Sequence, residues 1–82
     1  MRVVSDLDRV FGTCLREARR QVGLTQEELA LQCGIERTYI SFLERGLRKP
    51  SVNALFVLCG ALQMVPSKLI RQVETVLKDS GR

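Results

Sequence analysis

Four cations crowd one short stretch near the middle of the chain: Arg37, Arg45, Arg48 and Lys49. An earlier group, Arg16, Arg19 and Arg20, repeats the concentration. Guanidinium and ammonium groups clustered in this way suit the binding of phosphate on an anionic polymer. The net charge of +4 is moderate, and a solvated basic surface would give the same total, so placement carries the argument rather than the sum. Other chemistries find little support. There is no histidine, and the three cysteines, Cys14, Cys33 and Cys59, stand at wide, irregular spacings unlike a zinc knuckle or a redox CxxC pair. Each falls at an apolar helical position, where it is expected to act as a small core residue in a reducing compartment. There is no glycine-rich phosphate loop, no paired carboxylate beyond Glu27 and Glu28, and too short a chain for a substrate cleft. No enzyme, cofactor or metal is expected.

The elements that must position the cations can be read from periodicity. Eighty-two residues, 45% hydrophobic and 27% charged, make a single domain over 1–82 with its core at about 7–77. Leu7, Val10, Phe11, Cys14, Leu15, Ala18 and Val22 recur at helical steps, with Ser5 as expected N-cap, Asp8 three residues on, and Gly23 as terminator. Thr25-Gln26-Glu27-Glu28 has the pattern of a capping box opening a second helix that Gly34 ends. A third helix fits Glu36 to Arg45, with Ile40 and Leu43 inward, Tyr39 or Phe42 at the flank, and Gly46 beyond. On it Arg37, Thr38, Ser41 and Arg45 share the opposite face. Ser51 caps a fourth helix, and Pro66 opens a fifth that is expected to fray over residues 78–82. No segment alternates like a strand. The expected class is all-α, a compact five-helix bundle. No apolar run approaches membrane-spanning length, and the N-terminus turns charged before any secretory stretch could form. A cytoplasmic location without membrane contact is expected.

Two short helices around a tight turn at Gly34 form the frame of a helix-turn-helix over about 25–45. Gly23-Leu24-Thr25-Gln26-Glu27-Glu28-Leu29-Ala30, then Gly34-Ile35 and Thr38-Tyr39-Ile40-Ser41-Phe42-Leu43-Glu44-Arg45-Gly46, resemble the Cro and lambda-repressor type (XRE) helix-turn-helix family. The stretch Arg37 to Ser41 with Glu44-Arg45 is also similar to the controller proteins of restriction–modification systems. The resemblance implies a lambda-repressor-like fold, double-stranded operator DNA as partner, and transcriptional regulation as function, with autoregulation of a restriction–modification operon under the controller reading. RNA polymerase is a further partner that such a regulator can take. Gln26 matches the family glutamine that bonds a backbone phosphate, an assignment its place at a helix N-terminus suits. Arg37 and Thr38 match the first base-reading positions, where arginine can fork onto guanine O6 and N7. Ser41 stands on the next turn as a further base reader. Phe42 departs from the polar residues of the family and stays undecided between a thymine methyl and the core. Tyr39 can pack its ring and reach a phosphate with its hydroxyl, and Arg45, Arg48 and Lys49 are expected on phosphates along one strand. Arg19 and Glu44 match a family pair that forms an internal ion pair. Glu36 departs from the family's serine, threonine or aspartate and is a poorer N-cap.

Leu55, Phe56, Leu62, Val65, Leu69, Val73 and Val76 exceed what one short bundle is expected to bury. They are read as a twofold homodimer interface, which would present two recognition helices to an inverted repeat; the competing reading places them all in the protomer core. A different functional class, an antitoxin-like interaction module on the same scaffold, is disfavoured by the absence of a disordered, partner-wrapping tail.

Overall fold

The computed structural model describes the backbone of residues 2–80 and the side chains of residues 6–79. Five helices follow one another, α1 (Arg2–Gln21), α2 (Gln26–Cys33), α3 (Arg37–Glu44), α4 (Val52–Ala61) and α5 (Pro66–Ser80), with no strand among the described residues. The capping box at α2 forms as its residues dictate. The Glu28 backbone N–H donates to Thr25 Oγ1 at 3.0 Å, and the Thr25 N–H donates to Glu28 Oε1 at 2.9 Å. Ser51 Oγ likewise accepts from the Ala54 N–H at 2.9 Å and opens α4. Glu36 holds the N-cap position of α3 but makes no side-chain cap bond, so this helix starts without the anchor its neighbours have.

Both ends of the chain depart from expectation. Helix α1 begins at Arg2, so Ser5 lies inside it rather than capping it. Asp8 therefore has no capping task, and its carboxylate reaches Lys49 instead. At the far end Lys78, Asp79 and Ser80 continue α5 rather than fraying; Gly81 and Arg82 lie outside the described residues.

Four of the helices end in the same closure, an N–H reaching back five residues past a left-handed residue. The bonds are Leu24 to Arg19, Ile35 to Ala30, Leu47 to Phe42 and Met64 to Cys59, at 2.9 to 3.2 Å. Gly23, Gly34 and Gly46 supply the positive φ in the first three, whereas Gln63 supplies it in the fourth, at φ 60°. A side chain there stores strain that glycine would not.

Helix α1 packs on α3 and α5, α2 on α3 and α4, and α4 on α5. Leu15, Leu29, Ile40, Leu43, Leu58, Cys59, Leu69 and Val73 are the most deeply buried side chains, and full burial of each aliphatic one stabilises by roughly 1.5–3 kcal/mol. Gly12 sets the approach of α1 to α3, because a Cβ there would lie 2.4 Å from the Leu43 carbonyl oxygen. The apolar positions of α4 and α5 divide between two tasks. Leu62, Leu69 and Val73 are buried inside the protomer, where α1, α4 and α5 pack together, which corrects their reading as exposed interface residues. Phe56 and Val65 stay about 60% exposed, Val76 is exposed, and Leu55 is half-buried. Cys14 and Cys59 are buried and Cys33 half-buried. Burial raises all three thiol pKa values, with Glu17 adding to the effect at Cys14.

Candidate nucleic-acid interface

Glu44 closes α3 with a side chain that has no solvent exposure. An isolated carboxylate in such a place would be costly, so its partners decide whether the helix can sit there. Arg19 from α1 answers with a fork: Nε donates to Oε2 at 2.7 Å and Nη2 to Oε1 at 2.9 Å. The remaining Arg19 nitrogen, Nη1, donates to the Leu24 carbonyl at 2.9 Å, so the same guanidinium ties the α1–α2 turn to α3. Arg16 stands 3.6 Å away, and the Gln26 amide donates to Oε1 at 3.0 Å. Burial pushes the Glu44 carboxyl up, but the hydrogen bonds from Arg19 and Gln26 and the charges of Arg19 and Arg16 outweigh it and hold the group below its usual range. Hydrogen bonding to Glu44 raises Arg19 in turn, against the opposing effect of its burial.

This clamp fixes the outer face of α3. Arg37 and Thr38 are exposed in its first turn and Ser41 is half-buried one turn on, all on one side of the helix. Arg37 Nη1 reaches Gln26 Oε1 at 3.4 Å. Beyond the helix, Arg45 and Arg48 are exposed and lean on aromatic rings. The Arg45 guanidinium lies 5.5 Å from the Phe42 ring centroid, while that of Arg48 lies 5.9 Å from Phe42 and 6.0 Å from Tyr39. Contacts of this kind are worth about 0.5–1 kcal/mol at exposed sites, enough to bias two flexible cations toward the rings. Phe42 thus has a place: half-buried beneath two arginines.

Three of the expected phosphate ligands are already engaged. Lys49 Nζ bonds Asp8 Oδ2 at 2.7 Å, and the Tyr39 hydroxyl donates to the Lys49 carbonyl over a long 3.5 Å. Gln26 also has partners on both ends of its amide, with one N–H directed at Glu44. The structure therefore brings Gln26, Arg37, Arg19 and Glu44 into one connected group, and Tyr39, Phe42, Arg45 and Arg48 into another beside it. Sequence reasoning missed Asp8 and Arg16. Nothing in a single sequence links Asp8 to a lysine 41 positions away. Gly12 did carry a signal, since an isolated glycine inside a helical apolar face marks a close approach.

A helix-turn-helix whose second helix presents polar side chains, braced across the first and flanked by cations, is the frame of a major-groove reader. Residues 15–70 match the helix-turn-helix family, and the chain belongs to that family of DNA-binding transcriptional regulators, of the Cro and lambda-repressor type. Among relatives, the HTH-type transcriptional regulator y4dJ of Sinorhizobium fredii is 38% identical over 65 residues, covering 79% of this chain and 84% of that protein. The control protein C.BamHI of Bacillus amyloliquefaciens is 33% identical over 69 residues, covering 83% of this chain and 85% of its own. The crystal structure of the restriction–modification controller protein C.AhdI from Aeromonas hydrophila superposes with a TM-score of 0.74 at 42% identity, covering 78% of this chain and 96% of that one. No single helix among the described residues is long and apolar enough to cross a membrane.

Proposed function

We propose that this regulator works in the cytoplasm as a homodimer on an inverted-repeat operator, and that it controls a restriction–modification operon. The observation that carries the reading is the outer face of α3. Arg37 and Thr38 stand exposed in the first turn, Ser41 follows, and the ring-backed Arg45 and Arg48 stand beyond the helix. Arg37 specifies guanine through two parallel hydrogen bonds, Thr38 and Ser41 read adjacent bases, and Arg45 and Arg48 grip phosphate without sequence preference. Lys49 joins them only by exchanging Asp8 for a phosphate oxygen, and Gln26 gives its second amide N–H to the backbone. One short reading helix cannot define a site alone, which favours two copies. The exposed Phe56, Val65 and Val76 support this, as does an apolar groove of about 290 Å³ lined by Leu7, Phe11, Val52, Leu55 and Ile70. The control-protein relatives support the operon assignment, under which RNA polymerase is the machinery regulated.

The test begins with selection of a binding site from random duplexes, followed by anisotropy titrations of Arg37→Ala. The variant is expected to lose about 1–3 kcal/mol per half-site on the selected operator and to relax preference at one base pair. An equal loss on every duplex would overturn base reading by Arg37. Light scattering should find two chains per operator; a single chain on a half-site would overturn the dimer. A nuclease gene and a methyltransferase gene beside the coding sequence are expected, and their absence would refute the controller role.

A further inference from the structure

Phe42 is a half-buried ring without a place in the core. Among the described residues, the half-buried apolar side chains packed against the core include Tyr39 from α3 but not Phe42. What lies over its ring instead is charge, the Arg45 guanidinium at 5.5 Å and that of Arg48 at 5.9 Å from the centroid. Along α3 it stands one turn beyond Thr38 and one turn before Arg45, a spacing that puts the three side chains in one row. We propose that Phe42 reads the C5-methyl group of one pyrimidine in each half-site, so that the regulator prefers 5-methylcytosine to cytosine there as it prefers thymine to uracil; this rests on the reading of the outer face of α3 as the one that meets bases.

Base pairs present hydrogen-bond donors and acceptors along the major groove, and the C5-methyl is the apolar group among them. A phenyl ring can satisfy none of the polar atoms. Set against them it would strip their water and put nothing in its place, which is costly. Set against a methyl it buries apolar surface on both sides, which is favourable. A ring at this position therefore has one matching group on the edge of a base. The two arginines decide when the ring is open to it. A cation over a ring at an exposed site is held weakly, whereas an arginine on a phosphate makes charge-assisted, often bidentate hydrogen bonds. As Arg45 and Arg48 pass to phosphates, the ring loses its cationic cover and is left facing the groove. Thymine and 5-methylcytosine carry the same methyl at the same ring position, so methylation of a cytosine supplies the contact as well as a thymine does. Methylation of the operator at that base thereby becomes a signal that the protein can register.

Replacing the thymines of the selected operator one at a time by deoxyuridine removes a methyl and keeps every hydrogen-bonding group. Anisotropy titrations are expected to find one thymine per half-site whose methyl is worth about fourfold in affinity, as burial of one such group predicts. With a C·G pair at that position, methylation of the cytosine should strengthen binding by a similar factor. Phe42→Gln retains a long side chain with good helix propensity and should bring both ratios to one. Phe42→Leu, which stays apolar, should keep them above one. A ring that only carries the arginines would make Phe42→Gln weaken methylated and unmethylated duplexes alike, and unchanged ratios would overturn the proposal. So would loss of the effect in Thr38→Ser, which removes the neighbouring methyl of Thr38 and leaves Phe42 in place. Equal binding of the cytosine and 5-methylcytosine duplexes would overturn the response to methylation. If no thymine is methyl-sensitive while the selected operator is still preferred to a scrambled one, the methyl contact falls and base reading by α3 stands. If selected and scrambled duplexes bind alike, base reading falls and the methyl contact with it.

Discussion

Replacing Arg19 by methionine would leave Glu44 buried beside one distant cation. The side chain of Glu44 has no exposure, and Arg19 provides two of its three hydrogen bonds, at 2.7 and 2.9 Å. Removing one partner of such a pair costs about 3–5 kcal/mol, chiefly because the remaining charge is stranded. Arg16 at 3.6 Å and the Gln26 amide at 3.0 Å still face the carboxylate, which places the expected loss near the lower end, about 3 kcal/mol. A chain of this length has roughly 4–12 kcal/mol in total, so the variant should be folded only marginally at neutral pH. Urea titration followed by circular dichroism measures the difference directly. Protonation supplies an internal control. Because the folded Glu44 carboxyl is held below its usual range, the pair's contribution is fully present above the ordinary glutamate value of about 4.3. It is lost as the pH falls below that toward the lowered folded value. The gap between wild type and Arg19→Met should therefore narrow in acid. The double variant Arg19→Met/Glu44→Leu, with no charge left to strand, should recover most of the loss. A deficit in Arg19→Met under about 1 kcal/mol, typical of exposed pairs, would refute the claim that the clamp holds α1 to α3.

Gly12→Ala should destabilise by at least about 1–3 kcal/mol through overpacking, since its Cβ would meet backbone at 2.4 Å; an unchanged thermal melt would show that α1 and α3 can separate without penalty. Gln63→Gly should stabilise by roughly 0.5–1 kcal/mol by relieving the left-handed strain at φ 60°, and a lower melting temperature would contradict the cap assignment. Asp8→Asn should cost less than about 1 kcal/mol of stability because Lys49 is 64% exposed. By releasing Lys49 to phosphate it should also steepen the salt dependence of dimer binding from about −3.6 toward about −5.4, at roughly −0.9 per phosphate. An unchanged slope would mean that Lys49 never reaches the backbone.

The parts of this fold legible in the sequence are those decided locally. Thr25 and Glu28 form their capping box within four residues, Gly34 stops α2, and Ile40 and Leu43 turn inward because of their spacing. The pairing of Arg19 with Glu44 was expected only through resemblance to a family, because 25 residues separate the partners. Where long-range packing decides, local reasoning failed. Leu62, Leu69 and Val73 look no different in sequence from Phe56, Val65 and Val76, yet the first three are enclosed and the others are not. Which side of α5 is covered depends on how α1 lies across it, and no periodicity within α5 encodes that. Lys49 was read as a free cation for the same reason, its partner Asp8 standing on a helix far away in the chain.

Helix α3 is divided sharply between constraint and freedom. Ile40, Leu43 and Glu44 are locked by the core and the clamp, while Arg37, Thr38 and Arg45 are exposed outside it. Substitutions at the outer positions change neither packing nor capping, so most should be nearly neutral for stability. Under the proposed reading of this face, a lineage can therefore alter its preferred operator one base pair at a time without passing through unfolded intermediates. Two descendants of one ancestral gene, resident in the same cell, could then drift apart until neither occupied the other's promoter. The interior that makes such divergence safe would remain the same in both.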